Sequence, residues 1–92
     1  MGYYVLDEIE KGDYKFSLDT FLGDPAANIC CWVYYKGKPL NIEGTNDQVH
    51  KVFPQDHGSV NRSHLYNFIN KIIKDEAYRN QYVVKGRTRK LS

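Results

Sequence analysis

The chain has no apolar run approaching the roughly 18 residues a membrane-spanning helix needs. Its opening, Met1-Gly2-Tyr3-Tyr4-Val5-Leu6, has no basic stretch before an apolar core and soon meets Asp7 and Glu8, so no signal peptide is expected. Leu6 stands where a myristoylation signal requires Ser or Thr. The seven glycines form no GxGxxG or GxxxxGK[ST] phosphate loop, and no GxSxG elbow occurs. Cysteine is limited to the adjacent pair Cys30-Cys31. Neighbours on a strand point to opposite faces, and a bridge between them would be strained. A disulfide framework is therefore excluded, and two reduced thiols in a cytoplasmic protein are expected. There is no internal repeat, low-complexity segment or linker.

Aromatic residues are abundant at 14%, with eight Tyr in 92 residues. Tyr joins an apolar ring to a polar tip, which suits the edges of a small core or a recognition surface. Hydrophobic (41%) and charged (26%) fractions are those of an ordinary globular domain, and the length is that of one domain. The net charge of +2 hides an asymmetry: residues 1–24 carry −4, residues 25–84 carry +2 and the last eight residues carry +4. Residues 1–84 are accordingly read as one domain and 85–92 as a basic, flexible tail.

The clearest local signal is an amphipathic segment from Asn61 to about Arg79. Leu65, Phe68, Ile69, Ile72 and Ile73 recur at helical spacing and form one stripe. Asn61 or Ser59 supplies the N-cap oxygen, which is also the simplest reading of the Asn61-Arg62-Ser63 glycosylation pattern. Upstream, Tyr14, Phe16 and Leu18 alternate with Lys15, Ser17 and Asp19, predicting a strand with a wet face. Ile29 to Tyr35 is hydrophobic on both alternating sets, which predicts a central strand. Lys36-Gly37 turns the chain and Lys38–Ile42 returns antiparallel, with Pro39 placing it at an edge. Gly23-Asp24-Pro25 and Pro54 to Gly58 read as breaks and Glu43 to Asp47 as a loop. Val49–Phe53 is a fourth strand and Tyr82–Val84 a last short one. Val5–Glu10 reads as a short helix, narrowly preferred to a strand over Tyr3–Ile9 with a hairpin at Lys11-Gly12. The expected fold is α+β: a small antiparallel sheet of three to five strands with one long C-terminal amphipathic helix packed on one face.

Candidate chemistry is sparse. Asp56, His57, Asn61 and His64 lie between strand and helix, and a small hydrolase or nuclease would use His57 and His64. The same residues serve a polar loop feeding a helix N-terminus. Cys30, Cys31, His50, His57 and His64 lack the spacing of a structural zinc site, so neither metal nor cofactor is expected. The leading expectation is a non-enzymatic protein-binding module, of inhibitor or adaptor type. Its anchors would be Trp32 and Tyr34, on a sheet face left open by the helix, together with Tyr35 of the other alternating set. Compact accessory proteins of phages and mobile elements share this size, an analogy of size only. The alternative is single-stranded RNA or DNA binding by the aromatic face and the tail residues Lys85, Arg87, Arg89 and Lys90. Free sheet edges at Lys38–Ile42 or Tyr82–Val84 would allow a homodimer.

Overall fold

The computed structural model describes residues 3–21, 28–54 and 60–82. Its elements are β1 (Tyr3–Lys11), β2 (Tyr14–Phe21), β3 (Ile29–Tyr35), β4 (Lys38–Pro39), β5 (His50–Phe53), α1 (Arg62–Lys74) and α2 (Glu76–Arg79). All strand pairings are antiparallel. The order is β1-β2-β3, with β4 and β5 sharing the far side of β3: β4 pairs at Tyr34 and Tyr35, β5 from Ile29 to Trp32. An antiparallel sheet carrying a helix is thus present, as expected. The helix is 13 residues rather than long.

Two turns set the register. Gly12 (φ 61°) lets the chain reverse between β1 and β2. Lys36 and Gly37 (φ 51° and 80°) both take the left-handed backbone of a two-residue hairpin that matches strand twist. Segment 5–10 is strand, not helix. Tyr3, Tyr4, Val5 and Ile9 favour extended backbone, and an edge strand needs no strict alternation, which is why its period read ambiguously. Its register to β2 slips between Val5 and Asp7, so Leu6 is the extra residue of a bulge.

The core lies between α1 and the sheet face of Phe16, Leu18, Ile29, Cys31, Val33 and Phe53. From α1 it takes Leu65, Phe68, Ile69 and Ile72, as the stripe predicts, with Ile73 half-buried. Asn61 caps α1, its side chain accepting from the His64 amide at 3.2 Å. The expected single helix to Arg79 is broken at Asp75, whose backbone is extended (φ −129°, ψ 105°). Its carboxylate accepts from the Tyr78 amide at 3.2 Å and starts α2.

The break lets Arg79 reach back. Its Nε donates to the Ile72 carbonyl at 2.6 Å and its Nη2 to the Ile73 carbonyl at 3.2 Å, two groups that the end of α1 leaves without an intrahelical partner. The same Nη2 donates to the Tyr14 hydroxyl of β2 at 3.1 Å. One guanidinium therefore joins both helices to the sheet. Arg79→Ala is expected to destabilise the protein by about 2–3 kcal/mol, with Arg79→Lys restoring only part, because an ammonium lacks the fork. Urea denaturation measures this; a loss below about 0.5 kcal/mol, the scatter of ordinary surface changes, would show that the brace is idle.

Candidate functional site

The alternation puts Trp32 and Tyr34 on one sheet face without saying which face α1 covers, and theirs is the one away from α1. That face, however, is not open. Trp32 is 2% exposed and Tyr34 0%, and Ser17 and Asp19, expected on a wet face, are also fully buried. Ser17, Trp32 and His50 form one cross-strand row over β2, β3 and β5. The indole stacks on the His50 ring (centroids 4.3 Å, planes 15°), and its Nε1 donates to Asp19 Oδ1 at 3.1 Å. A buried indole needs such an acceptor, and Asp19, read as a solvent-facing residue, supplies it. The rings expected to dock a partner or stack bases are therefore interior residues. Alternation told which side chains share a face; it held no information on whether that face is covered.

Tyr35 is on the helix side, at the end of β3. It is 37% exposed and rests against Tyr14 (centroids 4.8 Å) with the Lys36 ammonium over its ring at 5.3 Å. Lys85, Arg87, Arg89, Lys90, Asp56 and His57 lie outside the described residues. His64 is exposed in the first turn of α1, and His50 is buried, so these two histidines are not brought together. Neither Cys30 nor Cys31 is bridged in a disulfide. Among the described residues no group of three or more His, Cys, Asp or Glu side chains is placed to hold a metal ion, and no helix is long and apolar enough to cross a membrane. The edge expected at Lys38–Ile42 is taken by the chain itself. Leu40 accepts from the Val49 amide at 2.8 Å, and Ile42 donates to Asp47 at 3.2 Å. Tyr82 is joined to β5 through the His50 amide at 2.9 Å.

Val52, on the same face as Trp32, is 46% exposed, but most of the exposed apolar side chains lie elsewhere. Among the described strands β1 pairs with β2 alone, so its outer side is a sheet edge. Val5 (42% exposed) and Leu6 (46%) stand on it. The bulge turns Leu6 and Asp7 together towards a cleft of about 220 Å³ between β1 and the start of α1. Its floor is apolar, made by Leu18, Ile29, Val60 and Leu65. Its rim pairs Asp7 with Arg62, with 4.0 Å between carboxylate and guanidinium. Arg62, Tyr66 and Asn70 follow one another at helical spacing on one ridge of α1. The outer two touch β1, at Asp7 and at Lys11, whose Nζ donates to Asn70 Oδ1 at 2.6 Å. Tyr66 between them is 47% exposed. Leu6, the cleft and the Tyr66 ridge thus form one strip on the helix side of this edge, while Val5, paired with Asp19, faces the other side. Sequence reasoning missed Leu6 and Tyr66; Tyr66, a large ring just off the buried stripe, was the one signal available.

The chain matches no family model, no curated protein and no solved structure among known proteins. The fold and the strip are therefore what define it: a small α+β domain with an apolar cleft beside an exposed strand edge.

Proposed function

We propose that this protein is a non-enzymatic protein-binding module, of inhibitor or adaptor type, which captures an extended segment of a partner along the outer edge of β1. The observation that carries the reading is the cleft beside the Leu6 bulge. It is smaller than the roughly 300–1,000 Å³ of small-molecule sites and has the size of one inserted side chain. Strand addition supplies main-chain hydrogen bonds, and a pocket beside the edge supplies selectivity. The anchors move from Trp32 and Tyr34 to Leu6 and Tyr66.

Charge narrows the partner. Asp7, Glu8 and Glu10 of β1 and Asp13 of the turn are exposed; Arg62 pairs with Asp7 and Lys15 with Glu8, and Lys11 is the further base on this edge, which leaves a slight acidic excess. A second copy pairing through β1 would set these carboxylates near one another, which is destabilising. A partner strand with Lys or Arg on one face and an apolar side chain for the cleft meets both features.

Leu6→Lys tests this. It leaves the buried core intact, so the melting temperature should hold. Capture of protein partners from nuclease-treated lysate should weaken by roughly 10–100-fold, the equivalent of about 1.5–3 kcal/mol for one buried Leu. Retention of the same proteins by Leu6→Lys, or loss of all captured material on nuclease treatment, would refute the reading.

A further inference from the structure

We propose that Lys51 and Lys71, held over a pair of touching tyrosine rings where β5, α1 and α2 meet, form a binding site for a phosphate dianion, free or as a phosphomonoester. The site is on a different part of the surface from the β1 strip and does not depend on it.

Lys51 projects from β5 on the helix side of the sheet. Its Nζ lies 4.9 Å from the centroid of Tyr82, 5.1 Å from that of Phe53 and 5.9 Å from that of Phe68. Lys71, exposed on α1, holds its Nζ 5.4 Å from the centroid of Tyr78. The two tyrosines are themselves 4.9 Å apart. Both ammonium groups are thus fixed around one phenol pair by cation–π contact. Neither Lys51 nor Lys71 takes part in an ion pair with a described residue. Asp75, four residues on from Lys71, caps α2 through Oδ1 and forms no ion pair with Lys71.

Two cations that form no ion pair with a described residue raise the local potential, and Tyr82 responds to it. Its phenol is held below the ordinary tyrosine value, first by the hydrogen bond from Tyr78 and, against the effect of burial, by the charges of Lys51 and Lys71. Tyr78, which donates that bond, is pushed up to about 12 by desolvation and the bond itself. The charges of both lysines thus reach the Tyr82 oxygen, which marks the corner where an added anion would meet them. The ligand class follows from what the rings are doing. Their faces are taken by lysines, so they offer no platform for a base, whereas two point-charge donors and a hydroxyl suit a compact dianion.

The test is an NMR titration of the full chain with inorganic phosphate, ionic strength being held constant with chloride. Saturable shifts are expected at Lys51, Lys71 and Tyr82, together with a rise in the Tyr82 phenol titration followed by ultraviolet absorbance. Lys71→Gln, at an exposed position, should raise the dissociation constant roughly tenfold, the loss of one charge-assisted contact. Lys51→Arg, which keeps the charge, should retain binding. A parallel titration with phenyl phosphate assigns the source: tighter binding than inorganic phosphate indicates a phosphorylated ligand, weaker binding a free anion, and either upholds the site. Shifts that do not saturate, that chloride reproduces, or that Lys71→Gln leaves unchanged would overturn it.

Discussion

Ile69→Asp is expected to leave the chain unfolded at neutral pH. Ile69 is 1% exposed and belongs to the single cluster in which Leu65, Phe68 and Ile72 of α1 meet Phe16, Cys31, Val33 and Phe53 of the sheet. Removing its side chain forfeits about 1.5–3 kcal/mol of burial. Placing a carboxylate there adds several kcal/mol more, since the group must be desolvated or protonated. A domain of this size is stable by only about 5–15 kcal/mol, so the sum takes most or all of it. Loss of the far-UV helix signal and of a cooperative urea transition is the expected result. Ile69→Val, costing about 0.5–1.5 kcal/mol, and Tyr66→Asp on the exposed ridge should both still fold. A wild-type melting curve for Ile69→Asp would mean that this stripe does not face the sheet.

That stripe was legible because burial of one helix face imposes its period directly on the sequence. For the same reason the alternation in β2 and the two-sided hydrophobicity of β3 were readable, and Asn61 announced the start of α1. The break at Asp75 was not. Asp75-Glu76-Ala77 continues a helical pattern, and what ends α1 is a capping oxygen and an arginine arriving from the next turn. Nor did the sequence reveal that Trp32 and Tyr34 are interior. Their burial with Asp19 and His50 depends on contacts across strands far apart in the chain. The cleft was hidden for a related reason: it exists because one residue slips out of register at Leu6, and a bulge has no local signature when neither glycine nor proline marks it. Local periodicity thus gave the layers, while the surface that carries the proposed function comes from the irregularities between them.

Cys31 provides the strongest expected dependence on pH. Its thiol is fully buried, and desolvation, aided by the negative charges of Asp19 and of Cys30, pushes it far above its ordinary value of 9.0. In the unfolded chain the same thiol ionises near that value. Above it the folded state holds a proton that the unfolded state has released, so stability falls as pH rises, by up to about 1.4 kcal/mol per pH unit. Between pH 9 and 11 the loss should reach roughly 2–3 kcal/mol. Tyr78, raised, adds to the loss above pH 10, whereas Tyr82, lowered, works against it, so the phenol pair partly cancels and the thiol dominates. Urea midpoints should therefore drop steadily above pH 9 in the wild type. Cys31→Ala should start less stable at pH 8, by about 1–2 kcal/mol for a buried side chain of this size, but lose less as the solution becomes alkaline. The two curves should converge, while Cys30→Ala should keep most of the slope. Parallel curves for wild type and Cys31→Ala would show that the alkaline instability has another origin and that ionisation of this thiol is not what the fold resists.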